Sequence, residues 1–174
     1  MALTKLAKNG YGQLELNFAD FRRHGAIEAQ CKLADGIDFV ENGMLLAVDR
    51  KNRTVGYPTG AENEVIALNY TTEHMYDERE RGLKYFRLEK NTFLPRLGYI
   101  SVADKFTTNT VCYDNGTTGA EKTPADYKYG KACSTEGFEG YIELTNDREG
   151  ACVEVLAVTT MPDGQKAVKF AGLN

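Results

Sequence analysis

Tryptophan is absent from the chain, and histidine occurs only twice, at His24 and His74. The first absence weighs against a sugar-stacking surface, although tyrosine can take that role. The second leaves little of the usual acid–base machinery. His24 lies in Arg22-Arg23-His24-Gly25, which reads as a polar turn, and His74 lies in a charged stretch; both read as solvated side chains. A concentrated Lys/Arg block is also missing. The 21 basic and 25 acidic residues are interspersed, with a formal charge of −4. Nucleic-acid binding draws its affinity from phosphate neutralisation, so no nucleic-acid partner is expected.

Long apolar runs are lacking too. The longest is near Met44 to Val48, far short of the roughly 20 residues a membrane helix needs. Residues 1–10 carry lysines without an apolar core, so neither a secretory signal nor a membrane partner is expected. Folding in a cytoplasm follows as the expectation. The four cysteines, Cys31, Cys112, Cys133 and Cys152, form no Cys-x-x-Cys pair and have no histidine at zinc-finger spacing. They read as free thiols, with Cys31 and Cys152 as small core residues. Nucleophile-elbow, P-loop, dinucleotide and zinc-protease motifs are all absent. No cofactor, metal or catalytic residue is assigned. Three Asn-x-Ser/Thr sequons, at Asn52, Asn69 and Asn115, read as chance matches without a secretion signal.

What the chain does have is β patterning. Hydrophobic residues make up 42%, with 10 Tyr and 8 Phe among 174 residues. Leu14, Leu16 and Phe18 alternate with polar residues, as do Ile27, Ala29, Cys31 and Leu33. Met44 to Val48 is continuously apolar after the Asn42-Gly43 turn pair, which predicts a central strand covered on both faces. Residues 64–70, 83–89, 93–102, 105–113, 141–145, 151–160 and 165–170 read as further strands, with Met161-Pro162-Asp163-Gly164 as a tight turn. Thr72 to Gly82 is charged and reads as a short helix or ordered loop. About nine short strands, with at most one short helix, predict a mainly β domain of barrel or sandwich type.

Two segments stand outside that pattern. Residues 1–10 read as an N-terminal arm ahead of a single domain at 11–174. Residues 114–139 are rich in glycine, poor in aliphatics, and read as a long loop. The candidate partner-binding residues are Ala2, Leu3, Lys5, Leu6 and Lys8 in the arm, with Tyr127, Tyr129 and Phe138 in the loop region. An arm of this kind adds a strand to a neighbour's sheet edge and orders only when bound. Exposed tyrosines suit protein contacts, and packing of the loop onto its own sheet is the competing reading.

Glu41-Asn42-Gly43-Met44-Leu45-Leu46-Ala47-Val48-Asp49 resembles structural proteins of tailed-bacteriophage virions, in particular small β-rich head decoration proteins. Phe106-Thr107-Thr108-Asn109, Thr160 to Gly164 and Val168-Lys169-Phe170 add to the likeness, which is specific over about 30 residues. The resemblance implies a non-enzymatic capsid-stabilising protein, present in many copies or as a homo-oligomer on the virion, whose partner is the major capsid protein or another virion protein. Tail-tube, tail-terminator and head-completion proteins share the style and remain open. A β-rich enzyme or carbohydrate-binding domain is the reading from a different class.

Overall fold

The structure is a computed structural model that describes residues 2–7, 9–71, 83–116 and 121–173. Its strands, in chain order, are β1 (Leu3–Lys5), β2 (Leu14–Phe18), β3 (Ile27–Glu28), β4 (Lys32–Leu33), β5 (Phe39–Val40), β6 (Leu45–Asp49), β7 (Thr54–Gly56), β8 (Ile66–Asn69), β9 (Leu88–Glu89), β10 (Leu97–Gly98), β11 (Lys105–Thr108), β12 (Val111–Asp114), β13 (Tyr129–Ala132), β14 (Ile142–Thr145), β15 (Val153–Thr160) and β16 (Lys166–Gly172). The described helical structure is one four-residue helix, α1 (Asp20–Arg23), and short 3-10 turns at Leu83–Tyr85 and Pro124–Asp126. The fold is mainly β, as the alternation predicts. The strands exceed the nine expected because five of them are only two residues long, too short to leave a pattern.

An eight-stranded sheet runs β1-β12-β14-β13-β15-β16-β11-β2 and a six-stranded sheet runs β3-β10-β8-β6-β7-β4, with β5 and β9 paired separately. The six-stranded sheet is strongly curled. Its two edge strands, β3 and β4, are joined by residues 29–31 alone. From Glu28 to Lys32 the chain spans at most about 14 Å. Six flat strands would hold those edges roughly 24 Å apart. The sheet therefore bends until its edges nearly meet, without closing into a barrel. This explains why the single strand expected at 27–33 divides: Glu28 pairs with Leu97 on one edge and Lys32 with Thr54 on the other. Ile27, expected to face the core, is exposed.

Two cores result. Leu33, Leu46, Val48, Val55, Ala67 and Leu97 fill the concave side of the curled sheet. Leu45 and Leu68 point the other way and pack with Phe106, Val111, Ile142, Val168 and Phe170 of the eight-stranded sheet. The two sheets thus face each other as in a sandwich. Leu45 and Leu46 are both fully buried on opposite sides of β6, which accounts for the continuous apolar run.

Both exceptional segments belong to the framework. In the expected arm, Leu3–Lys5 pairs antiparallel with Cys112–Asp114, and the Leu6 amide donates to the Val111 carbonyl at 2.9 Å. It is ordered on its own sheet, because β12 offers an otherwise open edge beside it. In the expected loop at 114–139, β13 pairs with both β14 and β15 near the middle of the eight-stranded sheet. Gly130 marks the reason: a Cβ there would lie 2.5 Å from Ile142 Cγ2 and 2.9 Å from Val153 Cγ2. A glycine that reads as loop material is required here by close packing.

Candidate partner-binding surfaces

The eight predicted contact residues scatter on folding. Ala2 is exposed just before β1. Leu3 and Leu6 are half-buried against the chain's own two cores. Lys8 lies outside the described residues, as do His74 and the charged run Asp77 to Arg81. Tyr127 is buried; its ring packs edge-on to Tyr113 and its hydroxyl donates to the Asp114 carbonyl at 2.6 Å. It anchors the connection into β13 and offers no contact surface. Tyr129 is half-buried within β13, opposite Thr145 and Glu154.

Lys5 and Phe138 are the pair that the fold does bring together. The Lys5 ammonium sits 5.7 Å from the Phe138 ring centre and 4.4 Å from that of Tyr141. The cation faces the electron-rich ring surfaces, so β1 is held by cation–π attraction as well as by its ladder. Beneath it lies Glu41, whose burial no local pattern announces. Only 5% exposed, Glu41 accepts hydrogen bonds at Oε2 from the Gly12 amide (2.8 Å) and the Tyr141 hydroxyl (3.0 Å). Burial pushes its carboxyl above the usual carboxylate range, against those two bonds and the charges of Lys5 and Arg87. Burial and the neighbouring Glu41 push the Tyr141 phenol up in turn.

Cys112 and Cys133 lie fully buried beside this group. Their thiols hydrogen-bond to each other, and that bond, followed by burial, drives Cys112 far above an ordinary thiol. Cys133 accepts the bond and is lowered to about 7. Cys31 is buried as expected, whereas Cys152 is only half-buried; all four thiols are free. Burial limits what either thiol can react with, and the raised Cys112 is held back by ionisation as well.

Three of the four segments that carry the virion resemblance meet at one polar seam, and Val168 and Phe170 of the fourth lie in the apolar core. Thr110 donates to the Asn42 carbonyl at 2.6 Å, and Thr108 donates to the Gln13 carbonyl at 2.6 Å. The Gln13 amide donates to Asn109 Oδ1, and Asn109 Nδ2 reaches Gln165 Oε1. Asp163 accepts from both Gln13 and Gln165. Asn42, Thr108, Asn109 and Thr110 are buried. Apart from Asn42 Oδ1, which is buried without a partner, the seam's side chains are hydrogen-bonded, and such a network fixes one arrangement of the sheets. The resemblance thus falls on framework residues and leaves the contact surface unspecified.

Converging chemistry is not found elsewhere among the described residues. A shallow depression of about 390 Å³ opens on the outer face of β6 and β7, over Ala34, Ala47 and Gly56. Its charged rim is already engaged: Asp49 accepts from Asn52, Arg50 stacks on Tyr99, and Glu64 accepts from Thr59 and Gly60. No group of three His, Cys, Asp or Glu side chains is placed to hold a metal ion among the described residues, and no helix there is long and apolar enough to cross a membrane.

Exposed apolar side chains are the remaining surface signal. Val102 is 67% exposed in the turn before β11, and Leu94 is 51% exposed between β9 and β10. Leu156 on β15, Ile27 on β3 and Phe18 at the end of β2 are also exposed. These positions belong to the edges and turns of both sheets. Sequence reasoning missed them because apolar residues within a strand pattern are assigned to the core by default. Comparison with known proteins adds no identification: no family model, curated protein or solved structure matches the chain.

Proposed function

We propose that the chain is a non-enzymatic structural protein of a tailed-bacteriophage virion, binding the assembled head and stabilising it by bridging neighbouring capsid subunits. One observation carries this reading: large apolar side chains are exposed at several separate edges and turns of a two-sheet body. A protein that holds one small ligand needs a single concave site. A protein that cements neighbours needs at least two contact faces, and Val102, Leu94 and Leu156 place exposed apolar side chains on different elements. The resemblance at Glu41 to Asp49 supports the same class. Many equivalent sites on a shell let each copy bind modestly, because a site shared by two subunits exists only once they are assembled.

The test uses heads purified from the phage that encodes the chain, stripped of or lacking this protein. Added protein is expected to co-sediment with the heads to a fixed copy number and to raise the temperature at which they release their genome. Unassembled capsid subunits are expected to bind far less. Absence of co-sedimentation overturns the proposal. Rings or tubes formed spontaneously by the purified protein would move the role from head to tail.

A further inference from the structure

The longest strand is only partly paired on one side. β16 covers β15 from Val153 to Thr160, but β13 covers it only at Val153 and Glu154. Among the described residues, the open side is therefore a sheet edge over Leu156 to Thr160, although the 3-10 turn Pro124–Asp126 also packs against β15. Val155 to Thr160, Val-Leu-Ala-Val-Thr-Thr, carries no charge and no proline. Leu156, Ala157, Thr159 and Thr160 are exposed. Edges of soluble sheets are ordinarily blunted by charges or proline. The outermost strands of the two larger sheets follow that practice, with Lys5 in β1, Glu15 in β2, Glu28 in β3 and Lys32 in β4. The β15 edge is the exception among them.

Backbone register fixes which groups are open. The Met161 amide donates to the Gln165 carbonyl at 2.7 Å, so Met161 faces β16. Antiparallel ladders alternate, which turns Thr159 and Ala157 toward β16 and Thr160 and Val158 outward. From the other end, the Val155 amide donates to Lys128 on the β13 side, and the bulge at Leu156 restores the same alternation. Val158 and Thr160 thus each present an N–H and a C=O to the open side.

We infer that this edge pairs with the same edge of a second copy, β15 against β15 about a two-fold axis at Thr159. That register sets Val158 opposite Thr160 of the other copy, twice, and satisfies all four outward donors and all four outward acceptors. It leaves out the bulged Leu156 and the bonded Met161. A second copy is the occupant that the chemistry favours, since the run is uncharged and self-complementary and meets no like charge, as a β1 or β4 edge paired with itself would. The contact is short, so the dimer is reversible and concentration-dependent; on a multi-copy shell it would tie adjacent copies together. The inference concerns the purified chain and stands whether or not the shell reading does.

Two variants of the full chain test it. Thr159→Cys places two thiols across the axis in a non-hydrogen-bonded pair, where Cα atoms are about 4.5 Å apart. Diamide, which takes up the two electrons and two protons, is expected to link it into a disulfide dimer. Ala157→Cys and the parent protein, displaced from the axis, are expected to stay unlinked. Thr159→Lys puts like charges side by side and is expected to weaken dimerisation ~5-fold by sedimentation equilibrium, with an unchanged circular dichroism spectrum. A parent chain that stays monomeric at millimolar concentration, equal cross-linking at positions 157 and 159, or a Thr159→Lys variant that dimerises as the parent does would each overturn the inference.

Discussion

Gly43→Ala is the perturbation that presses hardest on the polar seam. Gly43 sits at φ +85, in the left-handed region, in the turn that leads into β6. Placing an alanine there costs about 1–2 kcal/mol through its backbone alone. The new Cβ would also overlap Thr108 Oγ1 and lie 3.0 Å from Thr108 Cβ. Thr108 cannot simply swing away, because its hydroxyl donates to the Gln13 carbonyl and accepts from the Thr110 amide. Overpacking at a fixed neighbour adds about 1–3 kcal/mol. The total, about 2–5 kcal/mol, is a large share of the 5–15 kcal/mol typical of a domain. Gly164→Ala separates the two contributions: Gly164 has φ +86 but nothing within 4 Å of its Cβ position. That control should lose only the backbone part, about 1–2 kcal/mol. Urea unfolding of both variants reads the difference as a shift in midpoint with an unchanged slope. Equal losses, within about 0.5 kcal/mol, would refute the claim that Thr108 and the Asn42-Gly43 turn are locked together.

The buried Glu41 gives a pH dependence of definite sign. Its folded-state pKa is raised above the ordinary 4.5, so wild-type stability falls as pH rises from 4.5 through that raised value. Glu41→Gln cannot ionise, and its unfolding free energy should therefore gain on wild type between pH 4 and pH 8; a constant difference would show that the carboxyl is solvated. Lys5→Ala removes the cation over Tyr141 and should cost about 0.5–1 kcal/mol, an exposed cation–π interaction. It should also raise the Glu41 pKa further, because Lys5 lowers it; nuclear magnetic resonance titration of the Glu41 carboxyl would check this, and an unchanged value would count against it. Cys31, Cys112 and Cys133 should stay silent to Ellman's reagent in the folded protein and react on unfolding; rapid labelling of Cys112 or Cys133 in the native state would contradict their burial.

Local pattern was enough where local physics decides. Val158 to Thr160 and Val168 to Phe170 read as strands about a Met161–Gly164 turn, and the Gly164 amide does close that turn on the Met161 carbonyl. The two-sided burial of β6 was likewise visible in its unbroken apolar run. The rest depends on distant partners. β1 reads as a free arm because three residues, Leu-Thr-Lys, show no period, and their partner β12 lies more than a hundred residues away. β13 reads as loop because its Tyr-Gly-Lys-Ala sequence lacks β-branched residues and contains the glycine that close packing demands. Nothing in the local sequence marks Glu41 for burial, and only the arrival of Gly12 and Tyr141 makes that burial tolerable. The contact surface is the least legible part, because an exposed Leu156 and a buried Leu144 look alike in sequence.

Whether the chain sits on a shell is decided most directly by electron cryomicroscopy of purified virions at a resolution that shows strands. The account predicts density for this two-sheet body at repeated positions on the outside of the head, touching more than one capsid subunit. Heads whose repeated surface density leaves no place for it, in preparations where mass spectrometry detects no copy of the chain, would contradict the account.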